Sequence, residues 1–282
     1  MLVFDTKEAI RAYLNSIKTD KTTIGFVPTM GALHLGHLSL IKESLIQNSI
    51  TIVSIFVNPT QFNNPEDLAK YPRTLERDIQ KINSLDSSIL VFSPTATDIY
   101  EGDIQSEHFD FDGIENQMEG KFRTGHFDGV GTIVKKLFQI ISPTNAYFGE
   151  KDFQQLQIIR KLVQKNNLSV NIIQCPIYRE ANGLAMSSRN ERLSPLEKEQ
   201  AALLYRTLLE VKNDFLIKDN YEINSWVASV FENHPTIKLE YFQIADEATL
   251  LPCKNNKNKV SCRAFIAVFI NNIRLIDTIS LN

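Results

Sequence analysis

Two histidines three residues apart, His34 and His37, lie beside the glycines Gly31 and Gly36 in Pro28-Thr-Met-Gly-Ala-Leu-His-Leu-Gly-His37. They are two of only five histidines in a 282-residue chain. Imidazoles at i and i+3 on a first helical turn share a face, and both can donate hydrogen bonds to phosphoryl oxygens. Glycine lets backbone approach a ligand closely, and a helix starting near Gly36 offers unpaired N–H groups and a positive dipole end. The spacing therefore points to phosphate binding. Lys151, in Asn145-Ala-Tyr-Phe-Gly-Glu-Lys-Asp152, is a second candidate. A cation at a helix start runs against the macrodipole, and phosphate charge beside it resolves that conflict. Met186-Ser-Ser-Arg189 is a third, with two hydroxyls and a permanent cation suited to folding over a polyphosphate.

Other polar stretches fit less charged ligands or plain structure. Asn58-Pro-Thr-Gln-Phe-Asn-Asn-Pro65 offers amides, a hydroxyl and two prolines, an ordered loop suited to neutral polar groups. Arg123 can reach an anion. His126 and Asp128 read as helix-start and capping groups. Asp78 falls on the exposed side of its helix, where only a neighbouring phosphate site makes a carboxylate a metal ligand.

These residues need elements to place them. Ile24-Gly-Phe-Val27 reads as a buried strand before the histidine turn, and Leu38, Leu40, Ile41, Leu45 and Ile46 form a helical stripe after it. Ile50–Val57, Ser88–Phe92, Asn145–Phe148 and Val170–Ile177 read as further strands, separated by helical patterns over 66–70, 73–83, 130–141 and about 153–163. A first helix runs from an Asp5 cap, and Glu107–Phe111 alternates as a short edge strand does. After a hinge near Tyr178 come helices over 195–216 and 221–233, then strands over 237–245, 263–270 and 272–279, with 254–259 as a solvated hairpin loop. The expectation is an α/β, Rossmann-like, doubly wound parallel sheet domain over 1–177, followed by a smaller α+β domain over 178–282.

A net charge of −3 carries no nucleic-acid signature, and the chain has no run of about 18 apolar residues and no leader-like start. The reading is a cytoplasmic protein without nucleic-acid or membrane partners. Cys175, Cys253 and Cys262 are odd in number and lack a Cys-x-x-Cys pair, so reduced thiols are expected.

Taken together, Pro28–His37, Asn58-Pro-Thr-Gln-Phe62, Tyr71-Pro-Arg-Thr74, Arg123-Thr-Gly-His-Phe-Asp128, Phe148-Gly-Glu-Lys-Asp-Phe-Gln-Gln155 and Met186-Ser-Ser-Arg-Asn190 resemble the motif set of the pantothenate synthetases, the ATP-dependent pantoate-β-alanine ligases. The two nucleotide motifs are shared with the wider adenylyl-transfer superfamily; the others are more specific. The resemblance implies attack of pantoate on the α-phosphorus of ATP, release of pyrophosphate, and capture of the pantoyl adenylate by β-alanine to give pantothenate and AMP. It makes His34, His37, Lys151 and Arg189 the catalytic set, with His37 as proton donor. It assigns ATP to Met30, Gly31, Ala32, Leu33, His34, Leu35, Gly36, His37, Gly149, Glu150, Lys151, Asp152, Tyr178, Met186, Ser187, Ser188 and Arg189. Pantoate falls to Asn58, Gln61, Arg123 and Gln155, β-alanine to Gln61, and Mg2+ to Asp78; a homodimer is expected. Tyr178 stands near where the family more often has an aliphatic residue, and 101–120 carries no family signature. The alternatives are a nucleotidylyltransferase acting on another small substrate and a non-catalytic nucleotide-binding regulator.

Overall fold

Runs of β-branched and aromatic residues without a polar face become strands covered on both sides. The computed structural model, which describes residues 1–63, 65–253 and 260–282, lays six such strands into one sheet. They are β1 (Leu2–Phe4), β2 (Ile24–Thr29), β3 (Ile50–Ile55), β4 (Leu90–Phe92), β5 (Asn145–Gly149) and β6 (Asn171–Cys175). All pairs are parallel, in the order β1-β4-β3-β2-β5-β6. The strand order reverses between β2 and β5, the kind of point where parallel sheets bind ligands outside their carboxyl ends. Helices α1 (Lys7–Ile17), α2 (Leu35–Gln47), α3 (Pro65–Lys70), α4 (Leu75–Leu85), α5 (Ala96–Tyr100), α6 (Met118–Phe122), α7 (His126–Ile141) and α8 (Phe153–Lys165) complete this region. Val27, Leu33, Ile41, Val53, Ile82, Val91 and Tyr147 form one core cluster within it.

The remainder holds α9 (Pro195–Ala201), α10 (Leu203–Asp214) and α11 (Asn220–Glu232) with an antiparallel sheet of β7 (Ile237–Asp246), β8 (Cys262–Ile270) and β9 (Ile273–Ser280). Leu208, Val211, Val227, Ile244, Ile266 and Val268 are buried together there. The chain divides into two compact units: Met1–Glu115, Glu119–Gly149 and Gln155–Cys175 form the first, and Asn116–Met118, Glu150–Gln154 and Pro176–Asn282 the second. Glu150–Gln154, expected in the first domain, groups with the second because the Arg263 guanidinium stacks 4.1 Å over the Phe153 ring and reaches Glu150 at 3.5 Å.

Several local expectations change. β1 was not foreseen, since three residues carry no period. Thr6 rather than Asp5 caps α1, its side chain accepting the Ala9 N–H. The pattern over 195–216 breaks into two helices at Ala202. Cys253 and Cys262 are disulfide-bonded rather than reduced; spacing of nine residues has no motif, and the two meet because both lie beside the end of β7, Cys253 donating its N–H to the Ile244 carbonyl at 3.0 Å and Cys262 pairing with Asp246. The stretch 254–259 between them lies outside the described residues, as does Asn64.

Glu107–Phe111 forms no strand. It is a strap over α7 and α8, held by Lys135–Glu107, Lys161–Asp112 and Lys165–Asp110 ion pairs of 2.5, 2.8 and 3.0 Å. A Cβ on Gly131 would sit 3.0 Å from the Phe109 ring, so glycine there lets the strap lie flat. Asp128 accepts the Phe109 N–H at 3.0 Å and pairs with His108 at 3.0 Å. That hydrogen bond and charge raise the His108 pKa above 6.5. A raised histidine stabilises the fold fully at pH below about 6.5, and the contribution is lost as pH climbs through the folded-state value. An NMR titration should therefore place the His108 midpoint above that of a free histidine, and Asp128→Asn should return it. An unshifted midpoint in the parent chain removes the pair.

Candidate nucleotide and substrate site

The histidine turn is shaped by two successive left-handed residues, Gly31 at φ +81° and Ala32 at φ +50°. Alanine in that region costs on the order of 1 kcal/mol, and hydrogen bonds from α4 offset it. Asp78 accepts the Ala32 N–H at 2.9 Å on one oxygen and the Leu33 N–H at 2.7 Å on the other. Thr74 donates its hydroxyl to the same carboxylate at 3.1 Å, and Lys81 donates to the Leu33 carbonyl. Asp78 is 0 % exposed, so its assignment to the exposed side of the helix is corrected. The buried stripe of α4 runs through Asp78 and Ile82, while Leu75 is exposed. Nor do the residues fit a magnesium site here. Both carboxylate oxygens are committed to backbone and hydroxyl donors, and among the described residues no group of three His, Cys, Asp or Glu side chains could hold a metal.

Beyond the turn, His34 is the N-cap of α2 and His37 its N3 residue. The His37 Nδ1 accepts the His34 N–H at 3.3 Å, and the two rings stack at 4.0 Å. An acceptor Nδ1 puts the proton of the neutral ring on Nε2, so that edge is a donor. The first-turn N–H groups of α2 add to it. Ala32 and Leu33 are buried and their N–H groups are held by Asp78, so they shape the turn that presents His34.

Asn58 and Gln61 follow β3, Gln61 in a 3-10 turn over Pro59–Gln61. Both are buried, at 1 % and 8 % exposure. Asn58 Oδ1 accepts from Tyr100 at 2.6 Å and Thr60 at 3.3 Å; its Nδ2 donates to Gln61 Oε1 at 3.3 Å and to the Gly129 carbonyl at 3.1 Å. Gln61 Nε2 lies 2.9 Å from the Met30 sulfur. His126 Nδ1 donates to the Gln61 carbonyl at 2.8 Å, and Arg123 reaches the same oxygen at 3.5 Å. A Cβ on Gly129 would fall 2.4 Å from the Thr60 carbonyl, so α7 meets this turn without a side chain between. His126, read as a helix-start residue, thus supports Gln61. A cavity of about 370 Å3, lined by Met30, Gly31, Phe56, Thr74 and Ser93 among others, opens at the carboxyl ends of β2 to β4. Gln155 is half-buried on α8.

The second unit carries the other candidates. Lys151 lies in a 3-10 turn, Glu150–Asp152, ahead of α8, with its ammonium 3.2 Å from Asp152. Tyr178–Met186 doubles back on itself through Met186 N–H to Tyr178 O at 3.0 Å and Glu180 N–H to Leu184 O at 2.8 Å. Arg179 anchors that hairpin with a two-pronged ion pair to Asp277, at 2.6 and 3.0 Å, and stacks 3.7 Å over Tyr205. Burial pushes the Asp277 carboxyl above the usual carboxylate range, and Arg179 pulls it back. Ser187 caps the next 3-10 turn by accepting the Arg189 N–H at 3.2 Å, while Ser188 is buried. Each unit therefore gathers its own subset: Met30–His37, Asn58, Gln61, Arg123, Gly149 and Gln155 in the first, Glu150–Asp152, Tyr178 and Met186–Arg189 in the second.

The family described as Pantoate-beta-alanine ligase matches residues 2–280. A pantothenate synthetase of Flavobacterium psychrophilum is 62 % identical over 282 residues, with 100 % of both chains covered. One from Christiangramia forsetii is 52 % identical, again over 100 % of each. Among solved structures, pantothenate synthetase from Thermus thermophilus superposes with a TM-score of 0.90 at 34 % identity, covering 100 % of this chain and 99 % of that one. The Francisella tularensis pantoate-beta-alanine ligase complexed with beta-gamma ATP and beta-alanine gives 0.82 at 40 %, covering 100 % and 98 %.

Proposed function

The chain belongs to the pantoate-beta-alanine ligase family, and from that premise we propose which of its residues perform the ATP-dependent joining of pantoate to β-alanine. The observation that carries the assignment is His37, whose Nδ1 accepts the N-cap N–H at the start of α2, which makes Nε2 the donor nitrogen of its neutral ring. Pantoate's carboxylate oxygen forms a bond to the α-phosphorus as the bond to the bridging oxygen breaks, and that oxygen leaves with pyrophosphate. β-Alanine's amine then attacks the acyl carbon, sheds a proton, and AMP departs. No enzyme nucleophile is needed, so the protein's work is positioning and charge stabilisation.

In this reading His34, His37 and the α2 N–H groups hold phosphoryl oxygens, with His37 as the proton donor. Lys151, Ser187, Ser188 and Arg189 take the pyrophosphate side. Backbone and side chains of Met30, Gly31, Ala32, Leu33, Leu35, Gly36, Gly149, Glu150, Asp152, Tyr178 and Met186 line the nucleotide. Gln61 and Gln155 bind pantoate, with Gln61 also near β-alanine. Arg123 and Asn58 belong to the same pocket, and the amide of Asn58, spent on protein partners, acts through Gln61. Mg2+ enters with the ATP phosphates and is given no ligand on this chain, Asp78 being committed to the turn. The homodimer rests on the family resemblance and the cytoplasmic setting on the sequence reading alone; no helix among the described residues is long and apolar enough to cross a membrane.

The test is exchange of labelled pyrophosphate into ATP. Pantoate alone should support it, while AMP formation should require ATP, pantoate and β-alanine together. Exchange that strictly requires β-alanine rules out a free adenylate.

A further inference from the structure

Amides present one donor end and one acceptor end of the same shape, so only their neighbours fix which way a buried amide faces. The Gly129 carbonyl can only accept, which pins the NH2 end of Asn58 at 3.1 Å. The second N–H of that group then meets Gln61 Oε1 at 3.3 Å, which turns the Gln61 NH2 outward, toward Met30. What keeps Asn58 in that pose is its other end. Tyr100, the last residue of α5, donates to Asn58 Oδ1 at 2.6 Å and shares a 3.0 Å hydrogen bond with Thr60. Tyr100 is 4 % exposed, and its ring lies under the Lys136 ammonium at 5.4 Å.

We infer that Tyr100 is a positioning residue for pantoate, holding Asn58 so that Gln61 presents N–H rather than carbonyl to the substrate. The inference rests on the proposed place of Gln61 in the pantoate pocket. It also states which chemistry the pocket reads: Gln61 selects an acceptor, a carboxylate or hydroxyl oxygen, rather than a donor. Burial raises the Tyr100 pKa above 10.0, with the Thr60 and Asn58 hydrogen bonds opposing, so the phenol remains a neutral O–H donor through the working pH range. Tyr100 never needs to touch substrate for this role. Losing its hydroxyl leaves Oδ1 only the 3.3 Å contact with Thr60, so the Asn58 amide, still tied to Gly129 at its NH2 end, is loosened at the other and holds Gln61 less firmly.

The experiment measures pyrophosphate-exchange kinetics of Tyr100→Phe alone and combined with Gln61→Ala. A neutral hydrogen bond corresponds to roughly a three- to tenfold effect, so Tyr100→Phe should raise the pantoate KM by about that factor while the ATP KM and kcat stay within about twofold. In the Gln61→Ala background the same change should move the pantoate KM by less than about twofold, because the relay has lost its end point. Equal KM increases in the two backgrounds, or an unchanged pantoate KM in Tyr100→Phe, overturn the relay. Should Tyr100→Phe melt below the assay temperature, Asn58→Asp tests the same idea. It places an acceptor against Gln61 Oε1, reverses that amide, and should raise the pantoate KM more than the ATP KM; equal effects on both overturn the inference. Wild-type protein lacking pantoate-dependent exchange overturns the functional reading itself, a result distinct from either.

Discussion

His37→Glu is expected to fold at least as well as the parent chain and to lose pyrophosphate exchange by a thousandfold or more. The two effects separate because His37 uses its two nitrogens for different tasks. Its Nδ1 accepts the N-cap N–H at the third position of α2, a place where glutamate is a preferred residue because its carboxylate makes the same reciprocal cap. An acidic group in a first turn also complements the helix dipole by roughly 0.3–1 kcal/mol. The Nε2–H, by contrast, is the group proposed to meet phosphate, and losing one preorganised donor costs about a hundred- to a thousandfold in rate. Glutamate adds a negative charge where phosphate charge builds, which deepens the loss. His37→Gln keeps both a cap and a neutral N–H, so it should lie between, at roughly ten- to a hundredfold. His37→Ala loses cap and donor together, with a stability cost near 1 kcal/mol. Thermal melts paired with exchange assays decide it. A well-folded His37→Glu protein retaining exchange within about tenfold of wild type would remove His37 from the mechanism.

The parts of this site that could be read in the sequence are those whose residue type and local spacing carry the signal. The strand-turn-helix around His34 and His37 is legible because the apolar run before them and the helical stripe after them are both local patterns. Five of the six parallel strands are legible for the same reason, from buried strands alternating with amphipathic helices. β1 is not, because Leu2–Phe4 is too short to show a period. The supports of the site are invisible in sequence because they act through space. Tyr100 meets Asn58 across 42 positions, and Asp78 meets Leu33 across 45. His126 reads in the sequence as a helix start, and it is one, yet its Nδ1 bonds the Gln61 carbonyl 65 positions away. The strap over 107–112 illustrates the converse: the lysine partners of Glu107, Asp110 and Asp112 sit on α7 and α8, far along the chain.

Asp78 is where the two ways of reading conflict most sharply, and its replacement should have the largest effect on the fold. Asp78→Ala leaves the Ala32 and Leu33 N–H groups without their acceptors in a buried turn, and an unsatisfied buried donor costs about 1–3 kcal/mol. Two of them, in a turn already carrying a left-handed alanine, give an expected loss of about 2–5 kcal/mol. For a unit of this size that lowers the thermal midpoint by on the order of 10 °C. Activity should fall further than stability explains, because the same two N–H groups place Ala32–His34, and through His34 the start of α2. Asp78→Asn discriminates between clamp and metal ligand. Asparagine keeps one acceptor oxygen and sets an NH2 group against the other backbone N–H, so a clamp predicts intermediate stability, reduced kcat, and an unchanged dependence of exchange on Mg2+ concentration. A direct ligand predicts the opposite pattern: nearly normal melting and a Mg2+ requirement raised tenfold or more, since the neutral amide is a poor substitute for a carboxylate on a hard cation. Melting curves and a Mg2+ titration on the same preparation distinguish the two. A normal midpoint together with a shifted Mg2+ requirement would return Asp78 to the metal and leave the turn to be held by Thr29, whose hydroxyl accepts the Gly31 N–H at 3.2 Å, and by Lys81.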